Sequence, residues 1–126
     1  MVLTDDVLDD AVESIQDQID SQFTHGAIGT GNSTTEDATN SDLDNEILRK
    51  ARTDLTDDAI SNGESQSTVS VFINSTEANG ETITEAGLFD SSSGGELQLR
   101  EVFQGVDKNN QVEVFIDFQI NIEVNQ

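Results

Sequence analysis

The sequence of 126 residues contains no cysteine, tryptophan or tyrosine, and it has only five basic residues. Without cysteine the chain has neither a disulfide framework nor a thiolate metal site. Without tryptophan and tyrosine it lacks the large amphipathic rings on which a sugar would stack. With so few lysines and arginines it offers little positive charge to phosphates. We therefore expect no disulfide scaffold and no contact with nucleic acid.

Long apolar runs are also missing. No segment approaches the roughly eighteen consecutive apolar residues of a membrane span. Residues 1–10 are acidic and contain no apolar run, so we expect no secretory signal. The sequence predicts a soluble protein without a membrane partner.

Acidic residues are what the chain has in excess: 26 of them give a formal net charge of −21. Like charges at this density repel one another and weaken a compact state at low salt. At about 1 M salt the Debye length falls to roughly 3 Å, which screens most of that repulsion. Aspartate outnumbers glutamate and lysine is nearly absent. We expect a high-salt environment, in an extreme halophile or a virus of one; the alternative is a partly disordered acidic protein.

The apolar residues favour a folded domain, because they fall into patterned segments, most clearly from residue 67 onward. One compact domain is the natural number for this length. Hydrophobic residues make up only 33% of the chain, however. A core this thin would gain from self-association.

Residues 1–22 have the pattern of an amphipathic helix. Thr4 is a suitable N-cap, and Asp5 and Asp6 follow it at the positive end of the helix dipole. A narrow apolar stripe then recurs at spacings of four, three and four residues: Leu8, Val12, Ile15 and Ile19. This stripe could pack on a sheet of its own chain or on other copies. We predict that residues 1–22 form an assembly contact in which these four residues face the partner.

The next segments alternate between glycine-rich and charged sequence. Residues 23–31 predict a short strand that runs into a turn, with the glycines serving tight backbone turns because their spacing does not fit a phosphate-binding loop. Residues 31–40 predict a polar loop. Residues 41–52 predict a second short helix that begins at Ser41 and carries Arg49, Lys50 and Arg52 near its end. These three basic residues could bind an acidic partner or the chain's own carboxylates.

From residue 67 the apolar period changes to two, which is typical of half-buried strands. Residues 82–89 (TITEAGLF) predict a strand buried on both faces, and residues 97–103 a strand that ends before Gly105. The last strand has seven apolar residues at alternate positions: Val112, Val114, Ile116, Phe118, Ile120, Ile122 and Val124. It would span about 40 Å, so it either bends across two sheets or extends into a neighbouring subunit.

These patterns predict a mainly β fold, an antiparallel β-sandwich with an N-terminal helix and a second short helix. The sandwich would comprise residues 23–126, with the helix of residues 41–52 inserted into it.

Nothing in the sequence forms a catalytic or metal-binding pattern. His25 has no nucleophile or orienting acid fixed near it, so we expect a structural or surface histidine. One histidine without cysteine is a poor zinc site. The nearest approach to a calcium loop, residues 107–113, lacks the required glycine. We therefore predict no catalytic residue, no cofactor and no metal, as in a noncatalytic assembly component.

Five segments resemble, in order, a recurrent small domain of tailed-virus structural proteins. They are residues 25–32 (HGAIGTGN), 41–51 (SDLDNEILRKA), 82–90 (TITEAGLFD), 94–103 (GGELQLREVF) and the closing alternating strand. The resemblance covers about residues 23–124. The loop of residues 32–40 lacks the prolines usual in such proteins, and the N-terminal helix lies outside the pattern.

The resemblance implies a noncatalytic virion structural protein of the tail, tail-fibre or baseplate type, and the net charge implies a tailed virus of a halophilic archaeon. Its location would be the virion, and its partners would be other virion structural proteins. Closed symmetry is common, so we expect a homo-oligomer, a trimer or a ring. One alternative is a capsid decoration or turret protein of the same virion. Another is a cellular carbohydrate- or calcium-binding module, which the missing tryptophan, tyrosine and calcium loop disfavour.

Overall fold

A computed structural model, which describes residues 2–32 and 35–124, forms one helix and seven strands in those residues. In chain order they are α1 (Asp5–Gln22), β1 (His25–Gly29), β2 (Glu46–Ala51), β3 (Asp54–Asp57), β4 (Glu64–Ile73), β5 (Thr82–Phe89), β6 (Leu97–Asp107) and β7 (Val114–Glu123). Helix α1, the one helix in these residues, does not combine the length and the apolar character needed to cross a membrane.

The strands form two antiparallel sheets. Sheet A has the order β2-β1-β5-β6, and sheet B has the order β3-β4-β7. The chain passes from sheet A to sheet B between β2 and β3, where the N–H of Thr53 already donates to the carbonyl of Ser70 in β4. The predicted mainly β sandwich with an N-terminal helix is confirmed.

The core lies between the inner faces of the two sheets. Alternate residues of β4 and β7 face inward, as the period of two predicts, and strand β5 is buried along most of its length. The buried residues of this cluster include Ile28, Val69, Val71, Ile73, Ile83, Ala86, Leu88, Phe118 and Ile122. The prediction that the apolar end of the strand of residues 82–89 is buried on both faces is confirmed.

Helix α1 completes this core. Its N-cap forms as predicted, because Thr4 Oγ1 accepts a hydrogen bond of 3.4 Å from the N–H of Val7. The helix packs on β4 and β7, and Gln16 Nε2 donates to Ser65 Oγ at 2.9 Å. Val12 and Ile19 belong to the same buried cluster as the strands.

Three of the four residues that were predicted to face a partner lie against the chain's own sheet. Leu8, Val12 and Ile19 are buried within a single chain, because α1 packs on β4 and β7 of sheet B. Ile15 alone is partly accessible, with 37% of its surface exposed. The stripe packs mainly on its own sheet, the first of the two alternatives.

The predicted helix of residues 41–52 is also wrong. Residues 46–51 form strand β2, which pairs with β1 from His25↔Ala51 to Gly29↔Glu46. Before the strand, Leu43 is buried against Ala27 and Phe89. The charge gradient along this segment suits a helix, but pairing with β1 and burial of Leu43 outweigh that local preference.

Strand β6 continues past Gly105 to Asp107, contrary to the prediction. The register shifts between Ile83↔Val106 and Glu85↔Val102, so the glycine lies in a bulge and does not end the strand. Strand β7 pairs with β4 over all its residues without a register shift. It therefore stays in one sheet and does not bend across two.

The predicted loop of residues 31–40 is described in part. Residues 35–40 are irregular and contain a turn. Ser33 and Thr34 lie outside the described residues, as do Met1, Asn125 and Gln126 at the ends of the predicted N-terminal helix segment and sandwich.

Candidate functional site

Glu85 lies in β5, one of the two central strands of sheet A, and only 1% of the residue is exposed. It accepts three backbone hydrogen bonds, from the N–H groups of Gly31 (3.0 Å), Asp44 (2.8 Å) and Asn45 (2.9 Å). Arg100 Nε donates a fourth at 3.2 Å. A buried charge is stable only when it is paired and hydrogen-bonded in this way. We call these five residues the Glu85 cluster.

Arg100 extends the cluster to the following loop. Its Nη1 donates to the carbonyl of Thr35 at 2.8 Å and to Asn40 Oδ1 at 3.2 Å. Its Nη2 lies 3.6 Å from the carboxylate of Asp44 and makes no hydrogen bond to the residues that the structure describes. A single guanidinium thus links strand β6, the Glu85 carboxylate and the loop of residues 35–40.

Two glycines leave room for the Glu85 carboxylate. A Cβ on Gly29 would lie 2.5 Å from Glu85 Oε2, and a Cβ on Gly31 would lie 2.6 Å from the same oxygen. Gly29 is within β1, and neither residue needs a positive φ. These glycines serve close approach of a side chain, which corrects the prediction that they serve tight turns.

The hydrogen bonds determine the ionisation of Glu85. Burial alone would raise its pKa, but the backbone donors and Arg100 together outweigh burial and hold the pKa below the ordinary glutamate value. The group is therefore ionised at neutral pH. An ionised carboxylate with four bound donors is suited to hold structure, and unsuited to donate a proton.

The Glu85 cluster draws on four of the five segments that the sequence analysis singled out. Gly31 belongs to residues 25–32, Asp44 and Asn45 to residues 41–51, Glu85 to residues 82–90 and Arg100 to residues 94–103. The segments lie far apart in the sequence and meet at one carboxylate.

The predicted basic cluster binds the chain itself. Arg49 Nη1 donates to the carbonyls of Ser91 (3.1 Å) and Gly94 (2.7 Å), and its guanidinium lies 3.5 Å from the centre of the Phe89 ring. The guanidinium also pairs with Glu46.

The two other members of this cluster bind in the same way. Lys50 Nζ donates to the carbonyl of Phe72 and to Glu77, both at 2.7 Å. Arg52 binds the carbonyl and the carboxylate of Asp20 at the end of α1. Of the two alternatives for these residues, contact with the chain's own oxygens is the observed one.

Lys108 is buried, with 2% of the residue exposed. Its ammonium donates to Asn79 Oδ1 at 2.8 Å and to the carbonyl of Asn109 at 2.9 Å. Lys108 therefore stabilises the turn in residues 107–113, the segment whose sequence is most similar to a calcium-binding loop. All five basic residues of the chain are bound internally, so none of them is left as an isolated surface charge.

The remaining predicted residue, His25, is half-buried at the start of β1, and its Nδ1 lies 2.8 Å from Thr24 Oγ1. Within residues 2–32 and 35–124, no three histidine, aspartate or glutamate side chains are grouped closely enough to hold a metal ion.

A shallow cavity of about 320 Å³ lies between the loop of residues 36–40 and strand β6. Arg100, Leu97 and Leu99 line it, together with the acidic Glu36 and Asp37. The positive charge of Arg100 is already compensated by Glu85 and Asp44, so the cavity offers no net attraction to an anion.

Among the described residues, exposed large apolar side chains occur at Val106 in β6, which is 38% exposed, and at two further places. One is the outer side of α1 and the residues before it, where Val2, Leu3, Val7 and Ile15 are exposed. Within the helix, Val7 and Ile15 lie on the same border of the buried stripe, about 80° apart around the helix axis; we call Val7 and Ile15 the outer helix stripe. The other is Phe115 in β7, which is 72% exposed and stacks on Phe72 with ring centres 4.5 Å apart.

Sequence reasoning missed the Glu85 cluster, although one signal was present. A glutamate within a strand predicted to be buried on both faces requires an ionic or hydrogen-bonding partner. The location of that partner, Arg100 across the β5–β6 pair, depends on strand register. A comparison with models of known protein families and with curated protein sequences finds no match to this chain.

Proposed function

We propose that this chain is a noncatalytic structural protein of the virion of a tailed virus that infects a halophilic archaeon. Its place would be the tail, the baseplate or the fibre-attachment region. The observation that carries the proposal is the convergence of four resembling segments on Glu85. The residues of these segments bind one another within the fold and so stabilise it. A protein whose role is structural needs such a stable fold.

The charge distribution supports the high-salt part of the proposal. The five basic residues are bound within the chain, so the acidic excess is carried at the surface. Such a surface is well hydrated and is stable where salt screens its self-repulsion. Every structural protein of a virion that persists in brine would need such a hydrated surface.

The outer helix stripe supplies a contact for assembly. Val7 is 50% exposed and Ile15 is 37% exposed on the accessible face of α1 that borders its buried stripe. We assign the partner contact of α1 to this face, in place of the buried residues of the predicted stripe. The partners would be copies of the chain in a trimer or a ring, or neighbouring virion proteins.

The test is the composition of the particle. Particles purified by density gradient in molar salt are analysed by mass spectrometry, and a cryo-EM map is searched with the two-sheet structure. We expect the chain in the particle, with density for the sandwich in the tail or baseplate at low copy number.

Three outcomes would contradict parts of this proposal. Absence of the chain from purified particles would exclude a virion role. High copy number on the capsid lattice would replace the tail assignment with a decoration or turret protein. Specific retention of the purified chain on immobilised glycans, in place of particle association, would favour a binding module.

A further inference from the structure

The outer edge of β7 is the longest regular sheet edge in the described residues. Sheet A ends on one side at β6, which is interrupted by a register shift and whose Val102 N–H is bound by the carboxylate of Glu36 at 2.8 Å. The edge strands β2 and β3 have six and four residues. Strand β7 has ten residues and no irregularity.

Hydrogen bonds fix which backbone groups of β7 point outward. Val124 N–H donates to the carbonyl of Gly63, so even-numbered residues of β7 bond to odd-numbered residues of β4. In agreement, the even-numbered Gln66 and Ser70 of β4 accept hydrogen bonds from the side of β3. The outward groups of β7 therefore belong to Phe115, Asp117, Gln119 and Asn121. In the described part of the chain, no group hydrogen-bonds to these outward N–H and C=O groups.

This edge also lacks the usual protection against strand pairing. Natural proteins protect edges with lysine, proline, bulges or a covering loop. Strand β7 contains no lysine and no proline, and its register is unbroken. On the inner side, Ile116 and Ile120 are only half-buried, which leaves apolar surface along the edge.

We propose that β7 pairs with β7 of a second copy of this chain, antiparallel and around a twofold axis at Phe118. The paired edges would join two copies of sheet B into one continuous sheet of six strands. A twofold contact closes the assembly at two copies and covers the free edge of β7 in both of them. The inference concerns the chain alone in solution, and it stands or fails independently of the proposed virion role.

The register is favoured by the side chains that it places opposite one another. On the outer face Asp117 meets Gln119, whose amide can donate to the carboxylate, and Phe115 meets Asn121. On the inner face the half-buried Ile116 and Ile120 cover each other. A shift that placed Asp117 opposite itself would oppose like charges, which destabilises a cross-strand pair.

The charge of the chain makes this pairing dependent on salt. Two copies that each carry −21 repel at long range, and the register brings Glu113 near Glu123 at the strand ends. Both effects are screened when the Debye length is short. We expect dimers in molar salt and dissociation on dilution of the salt.

Gln119 provides a test of the register, because its side chain is exposed and makes no hydrogen bond to any described residue. Gln119→Glu would oppose Asp117 twice in the dimer and raise the dissociation constant by about 2- to 30-fold. Gln119→Lys would attract Asp117 and lower the constant. Gln119→Pro removes an outward N–H, which an edge strand tolerates, and should raise the constant about tenfold or more. Sedimentation velocity in molar salt measures all three.

The matched controls are Gln104→Glu and Gln104→Lys, at an exposed residue in the bulge of β6; neither should change the dissociation constant. Circular dichroism checks that each variant keeps its fold. A monomeric wild-type chain in molar salt would overturn the proposal. So would a dimer that is indifferent to Gln119→Pro, or one that both charge variants weaken equally, since that result would place Gln119 opposite itself. A wild-type monomer that binds an added basic β-strand peptide would reassign the edge to a foreign strand.

Discussion

The few basic residues of this chain bind main-chain oxygen as well as carboxylates. Arg49, Lys50, Arg52, Arg100 and Lys108 each donate to at least one backbone carbonyl. An exposed ion pair in molar salt contributes little, because salt screens it. A hydrogen bond to an uncharged carbonyl depends less on ionic strength than the attraction between two opposite charges does. These side chains therefore act as cross-links between segments that remain effective in high salt.

Glu85→Gln tests the most highly connected residue. The amide keeps one oxygen but turns an NH₂ group toward backbone N–H donors, and it leaves Arg100 buried without its carboxylate. Breaking a buried pair from one side costs about 3–5 kcal/mol. We expect a loss of unfolding free energy of that size, measured by urea titration in molar salt.

Glu101→Gln is the control, because Glu101 is exposed beside Arg100; it should change the unfolding free energy by about 0.5 kcal/mol or less. Equal stability of Glu85→Gln and the wild type would show that the cluster does not hold the fold.

The pKa of Glu85 predicts an acid-sensitive contribution to stability. Because the pKa is lowered in the folded state, this contribution is complete above the unfolded value of about 4.3 and is lost as the pH falls through the folded value. The pKa of Glu77 is lowered in the same direction, because the hydrogen bonds from Lys50 and from the Asn74 N–H outweigh its burial.

The measurement is the unfolding free energy of the wild type and Glu85→Gln between neutral and acidic pH in molar salt. The difference between the two proteins should be largest at neutral pH and shrink below about pH 4. A difference that stays constant across this range would contradict the lowered pKa.

At the scale of elements, the sequence predicted what periodicity controls. The extent of α1 and of β7 follows from local spacing, since each buries one face with its own period. Strand β2 could not be predicted in this way: its charges suit a helix dipole, and the pairing with β1 that makes it a strand is remote in sequence. The Glu85 cluster was missed for the same reason, because its members meet only through strand register.

Helix α1 provides a matched pair of substitutions, one at a fully buried residue and one at the accessible border of the buried stripe. Val12 is fully buried against β4 and β7, so Val12→Ala should lower the unfolding free energy by about 1–3 kcal/mol. Ile15→Ala removes a partly exposed side chain from the outer helix stripe and should cost clearly less. Urea titration of the two variants in molar salt measures the difference.

The Val12→Ala variant should keep the oligomeric state of the wild type at concentrations where it is folded. If Ile15→Ala proved the more destabilising of the two in the monomer, the orientation of the helix would be wrong. If Val12→Ala dissociated an otherwise stable oligomer, the predicted partner contact through Val12 would be restored.

On the scale of the whole molecule, the distribution of charge matters more than its sum. The five cations are bound internally, and of the 26 acidic residues only Glu85 is fully buried among the described residues. Folding therefore concentrates negative charge on a small surface around a thin core. The resulting electrostatic repulsion is long-range, so it lowers the stability of the whole domain and not that of one element.

Salt should consequently control the stability of the entire domain. We expect the midpoint of thermal unfolding, followed by circular dichroism in potassium chloride, to rise steeply up to about 1 M, where the Debye length has fallen from roughly 10 Å to 3 Å, and to flatten beyond it. Chloride is preferable to sulfate, because sulfate also strengthens apolar burial. A variant in which the exposed Asp10, Glu13 and Asp17 of α1 are neutralised to their amides carries three fewer charges and should need less salt for the same midpoint. If the wild type unfolded at the same temperature in 0.1 M and molar salt, or if this variant kept the full salt dependence, self-repulsion would not be what limits the fold.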